Sequence, residues 1–253
     1  MENIVTPQSF SVSFQPVSQD VDKKKRLRLT SFLHKTQEAA EAHAMLYGCG
    51  YHHLIEKNIV WVLSRMKIEI VRMPEWNEPV RLDTWHKRVE RIFALRDFIL
   101  CDADEAPIVK ATSAWLLMDI HSRRMLRVEH VLPNLAQVNI PQDAIKSVPD
   151  KLTAPEVDNR TLIKLHEVAY SDIDLINHVN NTKYVEWALD CLRLEDDTFN
   201  MHNMNSFQIN FNMEARYKDV VTLNYDHDEE HRLHFVEGVR NGQNLFQCVC
   251  QFR

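Results

Sequence analysis

The amino-acid sequence predicts an α+β protein built from two similar repeats, each with one long helix packed on a curled antiparallel sheet. The first observation is an internal match: residues 207–223 align without a gap on residues 66–82, at an offset of 207 − 66 = 141. The second is that each half reads as one long helix-like segment and several strand-like segments. Because a helix and a sheet each bury one apolar face, each half is expected to fold as a helix on a sheet.

The first half of the chain supplies the first predicted repeat. Residues 9–17 alternate apolar and polar side chains, as in a strand, and residues 32–47 form an alanine-rich helical pattern that a sheet can approach closely. Further strands are predicted at residues 59–71, 80–89, 93–101 and 108–120. The segment 132–155 carries four prolines and reads as a connection. The expected division of the chain is a first repeat at 1–131, a linker at 132–158 and a second repeat at 159–253.

The second half contains the polar stretch that points to chemistry. A strand predicted at residues 162–170 ends in a polar turn, and a mostly buried helix predicted at 179–192 follows, before four more strands. Asn177 is the expected N-cap of that helix. The first turn of a helix exposes backbone N–H groups and a partial positive charge, which can stabilise an oxyanion. Asp174 and His178 are expected beside it, as a base or an orienting group.

This stretch resembles a family signature. The run from Asp174 to Tyr184, Asp-Leu-Ile-Asn-His-Val-Asn-Asn-Thr-Lys-Tyr, is similar to the motif of the acyl-acyl-carrier-protein (acyl-ACP) thioesterases of plant plastids and bacteria. Landmarks of that family are matched in order at Lys57–Met66, Arg81–Trp85, Arg96–Asp97 and Ser113–Met118. The resemblance implies a tandem (double) hot-dog fold. It also implies hydrolysis of a fatty acyl-ACP thioester to a free fatty acid and ACP, with no cofactor and no metal.

The same resemblance implies the site residues. Asp174 and His178 fall on the family's catalytic Asp and His, and Glu214 falls on a Glu proposed to act on water. The family's Asn lies where this chain has Ile176, so Asn177 is expected either to replace that amide or only to cap the helix. In the expected reaction Glu214 or Asp174 takes a proton from water, and His178 orients that carboxylate or shares the proton.

Two further expectations concern where this site lies. Strict alternation along residues 207–213 would place Glu214 on the polar face of its strand, lining a substrate channel, unless a bulge re-aims it. Carried back by 141 residues, the positions of the Asp, His and Glu fall on Leu33, Gln37 and Met73. We therefore expect one active site, in the second repeat, with the first repeat helping to enclose the acyl chain.

Several rival interpretations are carried alongside this one. An acyl-CoA thioesterase, a hot-dog enoyl hydratase that needs no Glu214, and a non-catalytic acyl-binding module all fit the same scaffold. A cysteine nucleophile is disfavoured, because plant members often carry Cys where this chain has Ala215, and Cys191 lies more than three helical turns from the signature. The segment His227–His231 fits a zinc-peptidase pattern, but its position between two strand-like segments predicts a hairpin loop.

The composition of the chain limits the classes of partner and the cellular location that we expect for this protein. The net charge is −6 with His neutral, which disfavours a nucleic-acid partner. No apolar run reaches the roughly 18 residues that span a membrane. Residues 1–20 lack a secretory pattern, so the expected location is the cytoplasm. The five irregularly spaced cysteines are predicted to be reduced thiols.

A basic run at Lys23–Arg28 is the expected contact for the acidic acyl carrier protein, or else a solvated lead-in to the first helix. The run itself is too short to decide between these two roles. The family resemblance, which implies an acidic partner, is what favours the first. Two fused repeats already form a pseudo-dimer, and pairing of two chains into a homodimer is left open by the sequence.

Overall fold

The computed structural model describes residues 8–153, 161–192 and 203–253, which fold into two compact units. Unit 1 contains the described residues up to Ser64 together with Val71–Pro149, and unit 2 contains Arg65–Ile70 together with the described residues from Asp150 onward. Each unit has one long helix and an antiparallel sheet, so the predicted α+β repeats are confirmed.

Unit 1 packs its longest helix, α1, on its sheet. The helices are α1 (Leu29–Leu46), α2 (Tyr51–Ile55), α3 (Val128–Val131) and α4 (Pro133–Ala136). The strands are β1 (Phe10–Phe14), β2 (Ile59–Ile70), β3 (Val80–Glu90), β4 (Phe93–Cys101), β5 (Pro107–Asp119) and β6 (Met125–Leu126). Their order in the sheet is β1-β3-β4-β5-β2, with β6 beside β5, and α1 contacts β1 and β3.

Unit 2 repeats this arrangement. Its elements are β7 (Thr161–Glu167), α5 (Asn181–Cys191), β8 (Met204–Phe211), β9 (Val220–Asp228), β10 (Leu233–Arg240) and β11 (Gln243–Phe252). The strand order β7-β9-β10-β11-β8 has the same connectivity as that of unit 1, and α5 contacts β9 and β10. The last part of β2, which belongs to this unit, pairs antiparallel with β8. Identical connectivity in both units supports the internal repeat that the sequence predicts.

The helix α1 shows why the predicted pattern folds this way. Its buried side chains include Phe32, Leu33, Ala39 and Ala40, which recur at helical spacing and face the sheet. The small alanines leave room for the helix to lie close to the strands. The helix begins three residues earlier than predicted, because Leu29 is also buried, at 3% exposure, and continues the same apolar face.

Part of the predicted linker packs on unit 1. Leu135 in α4 is buried, as are Ala144 and Ile145 further along. The carbonyl oxygen of Ile145 accepts a hydrogen bond of 3.1 Å from the Nζ of Lys87 in β3. This segment is therefore anchored at least as far as residue 145, whereas Pro155 and the expected boundary at 158 lie outside the described residues.

The ammonium that anchors this segment is itself buried in an ion-pair cluster. The Lys87 side chain is inaccessible to solvent, and its Nζ lies 3.2 Å from the Oδ2 of Asp97, which is equally inaccessible. It also pairs with Asp143, which is partly exposed. The same Asp97 oxygen accepts from the backbone N–H of Ala144 at 2.7 Å. The cluster thus joins β3 and β4 to the chain that follows α4.

Two smaller predictions are confirmed here. All five cysteines are buried and free, so the prediction of reduced thiols holds. The His227–His231 segment spans the turn between β9 and β10, so it is a hairpin loop. Among the described residues no helix is both long enough and apolar enough to cross a membrane.

Candidate active site

The loop that precedes α5 is held closed by the carboxylate of Asp174. Its Oδ1 accepts from the backbone N–H groups of Ile176 at 3.0 Å and His178 at 3.3 Å. The N–H of Asp174 in turn donates to the carbonyl of His178 at 2.8 Å, and a short bridge joins Ile173 to Val179. Asp174 therefore fixes the backbone from which the imidazole of His178 projects.

The helix cap is not where the sequence places it. Asn177 has φ 62°, a left-handed conformation that Asn tolerates in turns, and it lies exposed outside the helix. The N-cap is Asn180, which has φ −60° and ψ 136° and accepts from the N–H of Thr182 at 2.9 Å. The prediction that Asn177 caps the helix is wrong, because the turn needs a left-handed residue there and a capping residue has extended geometry.

Glu214 lies just beyond the end of β8, at a bulge. The N–H groups of Asn212 and Met213 both donate to the carbonyl of Leu245, at 2.8 and 3.1 Å. Two consecutive residues therefore face one on the neighbouring strand, as in a β-bulge. Of the two alternatives that the sequence leaves open, the bulge is the one observed, and strand alternation past Phe211 does not decide the direction of the Glu214 side chain.

The bulge and the loop bring two of the predicted side chains into contact. The Nε2 of His178 lies 3.2 Å from the Oε2 of Glu214, and these side chains are 17% and 27% exposed. The Nδ1 of His178 is buried and has no hydrogen-bond partner among the described residues. Asp174 reaches the same histidine through its backbone N–H. The structure thus brings together Asp174, His178 and Glu214, and leaves Asn177 on the outer side of the turn.

The sequence did not indicate the residue that holds the backbone next to Glu214. The buried phenol of Tyr184, on α5, accepts a 2.8 Å hydrogen bond from the N–H of Ala215. The carbonyl of Ala215 accepts from the N–H of Val179 at 3.0 Å. Burial raises the pKa of Tyr184 well above its usual value, so the phenol stays neutral. A buried tyrosine needs a hydrogen-bond partner for its hydroxyl, and that rule could have pointed to Tyr184 from the sequence.

The ring of Tyr184 is fixed by its packing in unit 2. It contacts Phe246 on β11, with ring centroids 5.4 Å apart, and Trp187 one turn along the helix at 5.2 Å. Phe246 in turn lies against Gly238 of β10, where an added Cβ would fall 2.2 Å from the ring. A glycine is needed at that position because no side chain could fit beneath the aromatic ring.

Replacing Tyr184 by Phe should separate the role of this hydroxyl from that of the ring. The buried N–H of Ala215 would lose its acceptor, which typically costs about 1–3 kcal/mol of unfolding free energy. We expect a lower denaturation midpoint and a several-fold lower kcat, because Glu214 is the adjacent residue. Chemical denaturation and steady-state kinetics measure both. The same stability and turnover as the parent chain would show that the hydrogen bond does not position Glu214.

The loop around Asp174 occurs a second time in unit 1, at an offset of 174 − 22 = 152 residues. There the carboxylate of Asp22 accepts from the N–H groups of Lys24 at 2.8 Å and Arg26 at 3.0 Å, the same relative positions that Asp174 uses. Lys25 has φ 62°, as position 177 does. The two loops therefore share one backbone design, although their side chains differ.

Unit 1 has kept the loop but has lost the acid–base pair. Arg26 takes the place of His178, and its guanidinium donates to the carbonyl of Met73 at 3.2 Å and pairs with Glu75 at 2.8 Å. Met73 is the residue that the 141-residue offset places at Glu214. Among the parts of unit 1 that the structure describes, this loop therefore lacks the His–Glu contact, which agrees with a single site in unit 2.

The alignment that led to that expectation was nevertheless wrong for the loop. The sequence offset of 141 places Asp174 on Leu33, which lies inside α1, whereas the structure places it on Asp22. The loop-to-strand segment is 152 − 141 = 11 residues longer in unit 1, and α1 has 18 residues whereas α5 has 11. An offset read from the strands cannot be carried through a helix of different length.

Unit 1 also contains a cavity between α1 and its sheet. It holds about 530 Å³ of empty space, including its open mouth. Its apolar lining includes Ala40, Ala44, Trp61, Ala94, Trp115 and Leu135. Such a lining suits a hydrocarbon chain.

Comparison with known proteins gives consistent matches to this chain and its fold. A family model described as the acyl-ACP thioesterase N-terminal domain matches residues 7–134, and one for the C-terminal domain matches residues 156–253. The oleoyl-acyl carrier protein thioesterase 2 of Arabidopsis thaliana chloroplasts is 25% identical over 289 residues, covering 97% of this chain and 77% of that protein. Thioesterase 1 of the same plant is 28% identical over 233 residues, covering 84% of this chain and 62% of that protein.

A solved structure agrees over the full length. The crystal structure of an acyl-ACP thioesterase from Bacteroides thetaiotaomicron superposes with a TM-score of 0.83 at 25% identity, covering 97% of this chain and 98% of that one. The predicted tandem hot-dog fold is therefore confirmed. Since the two family models together match most of its residues, this chain belongs to the acyl-ACP thioesterase family.

Proposed function

We propose that this protein hydrolyses fatty acyl-ACP to a free fatty acid and ACP by means of an activated water. The observation that carries the proposal is the contact of His178 with Glu214, 3.2 Å apart and mostly shielded from solvent. A carboxylate against an imidazole is an acid–base pair of the kind that activates water. Membership of the family and the names of its relatives support acyl-ACP as the substrate class.

In the proposed mechanism the two side chains act as one unit. The Nε2–H of His178 donates to Glu214, which leaves the Nδ1 lone pair as the proton acceptor. Water gives its proton to Nδ1 while its oxygen bonds to the thioester carbonyl carbon. When the tetrahedral intermediate collapses, the carbon–sulfur bond breaks and the departing sulfur takes the proton from the imidazole. Glu214 stabilises the transient imidazolium, and Asp174 holds the loop that presents it.

The proposed donor to the oxyanion is a backbone N–H group in the first turn of α5. The side chain of Asn180 accepts from the N–H of Thr182, and its carbonyl accepts from that of Lys183 at 2.9 Å. The N–H of Asn181, the first residue of the helix, is the remaining candidate donor in that turn. It is aided by the positive end of the helix dipole.

The alternatives differ in the groups they require. An enoyl hydratase would use an Asp–His pair and leave Glu214 without a task, so the observed His178–Glu214 contact favours hydrolysis. An acyl-CoA thioesterase would use the same residues and differs only in what holds the thiol portion of the substrate. A non-catalytic acyl-binding module would have no use for this partly shielded acid–base pair.

Release of free thiol from acyl-ACP, followed with a thiol reagent, tests the proposal directly. Matched acyl-CoA and enoyl-ACP substrates of equal chain length are run beside it. The expected result is thiol release from acyl-ACP with a kcat/KM well above that for acyl-CoA. No thiol release from either thioester, or hydration of the enoyl substrate alone, would contradict a thioesterase function.

The basic run of unit 1 is the proposed contact for the acidic carrier protein. Lys23, Lys24, Lys25 and Arg28 are exposed on the Asp22 loop. Charges arranged in this way attract a partner of opposite sign and act mainly on its association rate. In this proposal the unit 1 loop carries cations that bind the carrier protein, whereas the unit 2 loop carries the acid–base groups.

Reversing two of these charges should weaken the binding of acyl-ACP without affecting the reaction with acyl-CoA. For Lys23→Glu together with Lys24→Glu we expect KM for acyl-ACP to rise about tenfold at low salt, with kcat and the kinetics on acyl-CoA unchanged. A matched control is Lys57→Glu with Lys146→Glu, which changes net charge equally at two other exposed lysines. Equal effects of both pairs would attribute the change to net charge and exclude this docking site.

A further inference from the structure

The cavity of unit 1 contains a polar group of residues that the proposed reaction does not use. Arg96 on β4 and His86 on β3 are direct cross-strand neighbours, and both line the cavity. Gln37 lines it from α1. Polar side chains in an otherwise apolar cavity need partners, since an unpaired buried group costs stability.

Arg96 brings a buried cation to this group. Its Nη1 donates to the Nδ1 of His43 and to the Oγ1 of Thr84, both at 3.1 Å. Both acceptors are neutral oxygen or nitrogen atoms, and no salt bridge of Arg96 is found within the described ranges. Glu41, the carboxylate that lines the cavity, already accepts from the N–H of Tyr51 at 2.7 Å. The guanidinium can therefore serve a further acceptor.

His86 presents the opposite kind of group. Burial lowers its pKa to about 3, with the nearby Arg96 acting in the same direction, so the ring is neutral. One ring nitrogen bonds the backbone of Leu135. The other, Nε2, is buried and has no partner in the described part of the chain. In this neutral tautomer Nε2 carries a lone pair and requires a donor.

Gln37 completes the set with a donor. Its Nε2 is buried, and it too lacks a hydrogen-bond partner among residues that the structure describes. Glu41 and Tyr47 also line the cavity, but the buried polar atoms left without a partner among the described residues are a donor, Nε2 of Gln37, and an acceptor, Nε2 of His86, with the guanidinium of Arg96 beside them. A carboxylate would place its own lone pairs against the Nε2 of His86, whereas a hydroxyl can donate to His86 and accept from the other two.

We propose that this cavity recognises a hydroxyl group carried on an apolar chain. The hydroxyl would lie among Gln37, His86 and Arg96, and the hydrocarbon would lie against Trp61 and Trp115. The proposal rests on the proposed function in one respect, which is that the chain is taken to be an acyl chain. It adds a preference for hydroxylated over unsubstituted chains of the same length.

Binding of free fatty acids to the full-length protein tests this without relying on catalysis. Isothermal titration compares saturated fatty acids of equal length, with no hydroxyl or with one hydroxyl placed at each carbon in turn. At the best position we expect about tenfold tighter binding than for the unsubstituted acid, the worth of one good hydrogen-bonded group. If plain chains bind as tightly as every hydroxylated one, water satisfies these groups and the proposal is overturned.

Two variants and a control assign the effect to the residues named. Gln37→Met should reduce the tenfold preference to about threefold, and His86→Phe should abolish it. Glu38→Met, the exposed next residue on α1, should retain it. A preference that survives both cavity variants in folded protein would contradict the assignment. Failure of thiol release from acyl-ACP would refute only the proposed reaction, since the binding comparison does not depend on it.

Discussion

Replacing Glu214 by Gln is expected to lower kcat by about 10²- to 10⁴-fold, the range for losing a positioned acid–base group. The amide cannot stabilise an imidazolium, and it can donate to His178 and so favour the wrong tautomer. Removing the other partner of the pair, with His178→Ala, should lower kcat by a similar factor. Because the two side chains act as one unit 3.2 Å apart, the double variant should be little worse than either single one.

Steady-state kinetics on acyl-ACP, with thermal unfolding as a check on folding, measures these effects. Glu75→Gln is a matched control, because Glu75 is a carboxylate paired to Arg26 beside the equivalent loop of unit 1. We expect that variant to retain its kcat. If Glu214→Gln and His178→Ala both kept normal turnover, water activation by this pair would be ruled out. Losses that multiply in the double variant would show that the two residues act independently.

The largest expected effect on stability comes from Lys87→Met. The substitution would leave Asp97, which is inaccessible to solvent, without its cation. Breaking a buried ion pair on one side typically costs about 3–5 kcal/mol, because an uncompensated charge remains. The loss should lower the melting temperature by about 10 °C. It should also loosen the chain that follows α4, since Lys87 holds the carbonyl of Ile145.

The double variant Lys87→Met with Asp97→Asn distinguishes this cause from simple loss of packing. Removing both charges should recover much of the lost stability, since a buried pair is often replaceable by neutral groups. Lys146→Met, at an exposed lysine nearby, should change the free energy of unfolding by less than about 0.5 kcal/mol. Destabilisation of Lys87→Met by less than about 1 kcal/mol would mean that the ion pair contributes little.

Local patterns in the sequence were enough for most of the strands. The strand-like segments at residues 80–89 and 93–101 predicted β3 and β4 to within a residue. The resemblance brought Asp174, His178 and Glu214 into one hypothesis, and the structure places them together.

What the sequence could not provide depends on contacts between distant residues. Lys87 lies in the strand predicted at residues 80–89, and only the folded sheet shows that Asp97 and the chain near residue 145 enclose it. The hydrogen bond from Ala215 to Tyr184 joins residues 31 apart. The cap at Asn180 was missed because a residue with positive φ precedes it, and backbone angles are not visible in the residue types alone.

The twin loop around Asp22 has a consequence for engineering this chain. Its backbone already matches the one that presents the imidazole in unit 2, and Arg26 and Met73 occupy the places of the two reacting groups. Installing Arg26→His and Met73→Glu would test whether an inherited scaffold suffices to create a second catalytic centre in one polypeptide. Activity surviving in a chain whose original pair has been deleted would mean that the unit 1 scaffold can support catalysis after two residue changes.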